Sequence, residues 1–214
     1  MEIREKRKYL DLLGKEGITE SSFERRMEQI IKAKTFCCYL EEHGVHYDRC
    51  IKHRKVNGCD ESSLYYQRFQ EYLQDEYVIC KNLLVRERKG ERRKFLLVTD
   101  SRKQLDLKAL KDTLGCSKLE FVQEEEMKSL IHTTPGNVSL FNMMYDKDKQ
   151  VTLVFDQDLL QAKSLAFHPL YNEMSLFLQP KECLKFMKLI NRESDTEFVP
   201  MCEKMEKGYE KRLV

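Results

Sequence analysis

Two apolar, β-prone runs, residues 77–88 and 93–99, lie on either side of Lys89-Gly90-Glu91. A short glycine-containing break between two such runs reads as an antiparallel hairpin. A lone hairpin is only marginally stable in water, so other elements of the chain must cover this one. Further strand candidates follow at residues 118–122, 151–156, 164–168 and 173–178, with an earlier one at 46–53. Helical stretches fall between them. One spans residues 60–74, one is capped by Asp106 and ends at Gly115, and one spans 123–132 and stops at Thr-Thr-Pro-Gly. Another is opened by Pro180, with Leu184, Met187 and Ile190 on one face. Strands and helices alternate without a strict βαβ rhythm, and several strands are close enough to pair antiparallel. The expectation is a mixed α/β domain, mainly an antiparallel sheet with surrounding helices.

The chain's ends read differently. Ser21 with Glu24 forms a candidate capping box, Phe23, Met27, Ile30 and Ile31 recur at helical spacing, and Gly44 suits a C-terminal cap. The first 34 residues carry nine basic and seven acidic side chains, the texture of a solvated helical extension. The expected organisation is therefore a helical extension over 1–34, a domain over 35–192 and a charged tail over 193–214.

Composition excludes more than it selects. A net charge of +2 is too small to imply nucleic-acid binding by itself, so any such case must rest on local charge. The N-terminus is charged from its second residue, and no apolar run approaches the roughly 18 residues of a membrane span. The eight cysteines include no CxxC pair, which suits reduced thiols in a cytoplasmic protein. No GxSxG elbow, phosphate-binding GxxxxGK[ST] loop or HExxH pair occurs. His43, His46, Cys50, His53 and Cys59 form the densest set of metal-type ligands, but side chains alternating along a strand face opposite sides, and no metal site is expected.

Three segments carry chemistry. Residues 80–103 hold nine basic side chains against three acidic ones. Arg86, Arg88, Lys89, Arg92 and Arg93 concentrate charge on the hairpin, either as phosphate contacts or as the lysines and arginines that protect a sheet edge. Lys81 is set in an apolar strand, either as a plain edge-strand lysine, the reading its own context favours, or with its stem packed and its ammonium presented to a phosphate or ribose. Asn82 adds a donor and an acceptor. The second segment, Thr134-Pro-Gly-Asn-Val-Ser-Leu-Phe141, places a Pro-Gly turn after a helix, which exposes backbone N–H groups to an oxyanion or simply stops the helix. In the third, His168 stands at a strand end before Pro169, lining a pocket or filling a structural place.

Together these segments resemble one family. Cys80-Lys-Asn-Leu-Leu-Val-Arg-Glu87 is similar to its TKNLFLRD strand, Leu105-Asp-Leu-Lys-Ala-Leu110 to its VDLKAL, and Pro135-Gly-Asn-Val-Ser139 to its PGxVT. Val151-Thr-Leu-Val-Phe-Asp156 with Asp158-Leu-Leu160 resembles VTVVLDxDLL, and Phe167-His-Pro-Leu170 with Asn172 resembles FHPLxN. The clear resemblance covers about residues 77–190 and is to the YbaK-like, prolyl-tRNA-synthetase-associated editing domains. It implies that fold and a hydrolase that deacylates mischarged aminoacyl-tRNA in trans, with alanyl-tRNA for proline as a common substrate. Deacylation of a cysteinyl or seryl mismatch, or a non-catalytic RNA- or synthetase-binding module, are the alternatives. It also implies the tRNA acceptor end and prolyl-tRNA synthetase as partners, and no cofactor.

The resemblance assigns Lys81, Gly136 and His168 to the catalytic site, with Asn82, Asn137, Val138, Ser139 and Leu140 touching substrate. Departures cluster in the loop. Leu140 stands where the family has proline, Asn142 where it has glycine, and Tyr145 where it has asparagine. Losing the proline is expected to loosen the loop, and Leu140, Met143 and Met144 are expected to reshape the pocket.

Overall fold

The computed structural model describes residues 20–53, 55, 77–201 and 203. The helix expected over 60–74, the extension over 1–19 and Cys59 lie outside the described residues. Helix α1 (Glu20–Glu42) leads into β1 (Arg49–Lys52), and the hairpin follows as β2 (Val78–Glu87) and β3 (Lys94–Asp100). Helix α2 (Leu107–Thr113), β4 (Leu119–Phe121) and α3 (Glu124–Ile131) come next. A 3₁₀ segment (Leu140–Tyr145) precedes β5 (Val151–Asp156), β6 (Leu165–Phe167), β7 (Met174–Leu178), α4 (Pro180–Leu189) and β8 (Thr196–Val199). The eight strands form one mixed sheet in the order β1-β7-β6-β2-β3-β5-β8, with β4 pairing β2 off that path.

The hairpin forms where the sequence places it. Leu83 faces Leu97 across the antiparallel pair, and Gly90 in the turn holds φ +82, a conformation open to glycine at no steric cost. Both faces of the sheet are covered. Phe36, Cys37 and Leu40 of α1, Leu130 and Ile131 of α3, and Phe186 and Met187 of α4 bury one face in a single large cluster. Leu105, Leu110 and Leu114 close the other face over Val85, Phe95, Leu97 and Val154. Each such leucine or phenylalanine, fully withdrawn from water, contributes about 1.5–3 kcal/mol.

Both expected boundaries are corrected. A cut at residue 34 divides α1, a single helix. The face it buries is Ala33, Phe36, Cys37 and Leu40, at i, i+3, i+4 and i+7, whereas Met27 and Ile31 of the expected stripe are exposed. Ile30 and Ala33 also pack with Tyr171 and Met174, and Arg26 pairs with Glu173 at 2.6 Å. Residues 193–201, placed in the expected tail, are packed against the domain. Strand β8 extends the sheet beside β5, and Met201 is buried under α2. Arg192 is 1% exposed and pairs with Asp146 while donating to the Val151 carbonyl at 3.1 Å.

Candidate functional site

The longest strand, β2, has a gap along one edge. Its first residues pair with β6 as far as Ile79↔Ala166, and its last pair with β4 from Val85↔Phe121 onward. Between these contacts Cys80–Leu84 has β3 on one side and, among the described residues, no strand on the other. The Asn82 side chain donates to the Cys80 carbonyl at 3.4 Å, and the Val122 N–H reaches the Leu84 carbonyl at 3.2 Å. The result is a notch in the sheet edge at the stretch that carries Lys81 and Asn82, whose side chains leave opposite faces of the sheet.

Register places other side chains there. The β2–β6 pairing ends at Ile79↔Ala166, so Lys81 and His168 each lie two residues past it and face the same side of the sheet, and carrying β6–β7 one further sets Ser175 beside His168. Lys81 faces Thr99 across β3, and one more step of β3–β5 sets Thr99 beside Asp156. Side chains opposite one another in register share a face of the sheet. Ser175, His168, Lys81, Thr99 and Asp156 therefore form a polar row across the sheet, and His53 joins it through an Nε2–Ser175 Oγ contact of 3.0 Å. Lys81, Thr99 and Asp156 are flanked by the apolar side chains Leu83, Leu97 and Val154.

The charges in this row are not treated alike. Asp156, 0% exposed, accepts from Thr99 at 2.6 Å and pairs with Lys103 Nζ at 3.0 Å. Lys103 also holds Asp158. Lys81 Nζ meets only carbonyl oxygens, those of Ser101 at 3.4 Å and of Lys103. Among the described residues no carboxylate lies within ion-pair distance of Lys81. Its half-buried ammonium is thus oriented and, among the described residues, without a counter-ion, the condition for receiving an anion such as a phosphate. His168 lies against the His53 ring at a centroid separation of 6.1 Å. Burial first, and then the nearby His53, lower its pKa to about 4, so it is a neutral imidazole at pH 7.

The glycine loop is tied to the same place. Asn172, four residues past His168, donates from Nδ2 to the Gly136 carbonyl at 3.1 Å. Thr134 to Asn137 make a turn closed by Asn137 N–H to the Thr134 carbonyl at 3.0 Å, with Gly136 at φ +82. Proline before a positive-φ glycine is the type II arrangement. Asn137 N–H closes the turn and Ser139 N–H goes to Asn142 Oδ1 at 2.8 Å, whereas the N–H groups of Gly136 and Val138 have no partner among the described residues.

The structure therefore sets Lys81 and Asn82 on the unpaired stretch of β2 and His168 just past the end of the β2–β6 pairing, and it ties the Gly136 turn to Asn172, four residues past His168. It separates the rest of the loop by role. Asn137 spends its side chain on Thr134 Oγ1 at 3.0 Å, and Ser139 is a buried cap of the 3₁₀ segment. Leu140 is 0% exposed in the main cluster, and Met143 is buried with it. Side-chain contact of Ser139 or Leu140 with substrate is corrected accordingly, because both are packed inward. Asn142, in the family's glycine position, completes the capping box and bonds the Ile131 carbonyl, so capping replaces proline in stiffening this loop. Asn82 Oδ1, a buried acceptor with no partner among the described residues, is left for a ligand donor.

The basic hairpin is corrected as one patch. Arg86 is held by Glu120 and Glu126, and Arg93 by Glu87 and the Gly115 carbonyl. Arg88, Lys89 and Arg92 stay exposed at the tip, where Arg88 makes only a long ion pair with Glu120 at 3.9 Å. Arg88 is seven residues from Lys81, roughly 23 Å along the strand, so the tip and the notch meet different parts of any one ligand. Sequence reading missed His53, Ser175, Thr99 and Asp156 because their alignment depends on register between distant strands. Among the described residues, no helix is long and apolar enough to cross a membrane.

Comparison with known proteins gives the family and supports the fold. A family model described as the aminoacyl-tRNA editing domain matches residues 65–186. Prolyl-tRNA editing protein ProX of Acetoanaerobium sticklandii is 36% identical over 51% of this chain; the match spans 66% of ProX, just under two thirds of its length. Prolyl-tRNA synthetase associated domain-containing protein 1 of Danio rerio is 25% identical, over 65% of this chain and 72% of its own. A crystal structure described as a candidate trans-editing enzyme for prolyl tRNA synthetase shares the fold with a TM-score of 0.57 at 18% identity, over 81% of this chain and 98% of its own.

Proposed function

Because the chain belongs to the aminoacyl-tRNA editing domain family, we propose that it hydrolyses the ester of mischarged tRNA in trans, with alanyl-tRNA for proline as the substrate. The observation that carries the reading is the unneutralised Lys81 ammonium, set in a sheet-edge notch beside neutral His168 and the Gly136 turn. Lys81 grips the phosphate of the terminal adenosine, and Asn82 Oδ1 accepts from its ribose. The unused N–H groups of Gly136 and Val138 receive the ester carbonyl oxygen as water adds to the carbon. The tetrahedral intermediate then expels the ribose oxygen, which takes a proton from solvent, leaving a free amino acid and uncharged tRNA. An aminoacyl ester is already activated, so positioning and charge stabilisation suffice without a protein nucleophile. His168, uncharged, shapes the amino-acid side of the notch and offers a hydrogen-bond acceptor.

Selection is by size. One methylene discriminates by roughly 1–3 kcal/mol, too little for a synthetase alone, and a second small pocket supplies the rest. The ProX and prolyl-tRNA-synthetase-associated names of the relatives support proline tRNA as the carrier and prolyl-tRNA synthetase as a partner. The test is deacylation by the purified protein of a panel of alanyl-, seryl- and cysteinyl-tRNAs alongside correctly charged prolyl-tRNA. The reading expects rapid loss of alanine from the proline tRNA and persistence of the prolyl ester. Hydrolysis confined to a seryl or cysteinyl pair moves the substrate, and hydrolysis of none removes the activity.

A further inference from the structure

The notch has two ends, and the chemistry described above occupies only one. Strand β4 runs antiparallel to β2 and finishes at the other end, with Phe121 opposite Val85. The register puts Phe121 on the same face of the sheet as Val85 and Lys81, which lie an even number of residues apart on β2. Lys81 and Val85 are four residues apart, roughly 13 Å. Phe121 is 56% exposed. Another aromatic on a sheet edge, Phe198, is 41% exposed but rests edge-on against Phe155 at 5.9 Å. Among the described residues, Phe121 has no ring or cation partner. An aromatic ring left bare at the end of a short edge strand is costly in water unless something stacks on it.

Beyond Phe121, β2 continues to the hairpin tip, where Arg88, Lys89 and Arg92 are exposed. Backbone contact extends the same way, with Arg88 N–H bonded to the Lys118 carbonyl at 2.8 Å. From Lys81 on β2, past Phe121 at the end of the neighbouring β4, to the hairpin tip, the chain thus sets in order an anion-seeking ammonium, an exposed ring and a cluster of cations. That order matches a single-stranded nucleic-acid end running into a duplex, where bases need a stacking plane and phosphates need positive charge.

We infer that Phe121 is a base-stacking platform for the unpaired 3′ end of tRNA, midway between the ester at Lys81 and the acceptor-stem phosphates at the hairpin tip. The inference rests on the activity proposed above, but it concerns binding and is tested by binding. An unpaired base stacks on the ring, and the duplex lies toward Arg88, Lys89 and Arg92. This fixes the direction in which the RNA crosses the sheet.

The experiment measures affinity of the full chain for uncharged proline tRNA, and for the same tRNA lacking its 3′ single-stranded nucleotides, by fluorescence anisotropy. Phe121→Ala is expected to weaken binding of the intact tRNA roughly ten-fold, the order found when a stacking aromatic is removed. Phe121→Tyr is expected to keep wild-type affinity, and Phe121→Ala and wild type are expected to bind the truncated tRNA equally. An unchanged affinity in Phe121→Ala, an equal loss with the truncated tRNA, or no binding of either RNA by wild type overturns the platform. The ring is largely exposed, so the melting temperature of Phe121→Ala is expected to stay within a degree or two of wild type. Deacylation of alanyl-tRNA for proline by the same protein preparations separates the claims. Absent hydrolysis with the binding difference intact counts against the ester chemistry, and hydrolysis with unchanged binding counts against Phe121.

Discussion

The two ends of β2 handle positive charge in opposite ways. Toward its C-terminal end, Arg86 is locked by Glu120 and Glu126, and Arg93 by the buried Glu87. Near its start, Lys81 is held in place by two backbone carbonyls and meets no carboxylate among the described residues. Both ends read as basic in sequence, and the hairpin end reads as the more basic. The difference teaches that a cation count locates charge but does not locate binding. A guanidinium already satisfied by carboxylates builds the hairpin, whereas an oriented ammonium without a counter-ion awaits one.

Four variants sharpen or break this contrast. The largest effect is expected from Lys81→Ala, which should lower kcat/KM for deacylation about 100-fold with little change in melting temperature. Lys81→Ala retaining full activity would dissolve the distinction between the two ends. Next comes the triple change Arg88→Ser, Lys89→Ser and Arg92→Ser. Measured over a salt series, it should weaken tRNA binding roughly ten-fold at low salt and make the salt dependence shallower, since each phosphate contact adds close to one unit of slope.

Glu87→Gln addresses the structural end. The Arg93 guanidinium first, and then the Ser117 N–H, hold the Glu87 carboxyl down to about 2. A depressed carboxyl stabilises the fold above its unfolded pKa, and that contribution disappears as pH falls through the folded value. Thermal melts should therefore show Glu87→Gln about 3 °C below wild type at pH 7, with the gap closing between roughly pH 4 and 2. The smallest effect belongs to Arg86→Ala, expected to leave deacylation within about two-fold of wild type because that guanidinium is spent on Glu120 and Glu126. A loss from Arg86→Ala comparable to that from Lys81→Ala would make the paired arginine a participant.

Much of the fold was legible because its signals are local. Alternation and Gly90 mark the hairpin, Asp106 caps α2 through Lys108 and Ala109 N–H groups, and Pro180 opens α4. Long-range matters were not legible. The buried face of α1 runs through Ala33 and Cys37, residues that carry little apolar signal, so the more conspicuous Met27 and Ile31 misdirected the stripe. Strand β8 is four residues long and contains two polar ones, and only its pairing with β5 makes it a strand. Arg192 reads as part of a charged tail until Asp146, 46 residues earlier, is found beside it. Within the site, Lys81, Gly136 and His168 stood out through motifs. The roles of Asn142 as a cap and of Leu140 as core follow from packing that no motif spells out.

Amide hydrogen exchange in the presence of a non-hydrolysable, amide-linked alanyl-adenosine phosphate tests the central claim most directly. If the charged end of tRNA sits in the notch, protection should appear at residues 80–84, 136–138 and 168, and the tip at 88–92 should exchange as in the free protein. Protection centred on the tip, or none at residues 80–84 and 136–138 at saturating ligand, would contradict it.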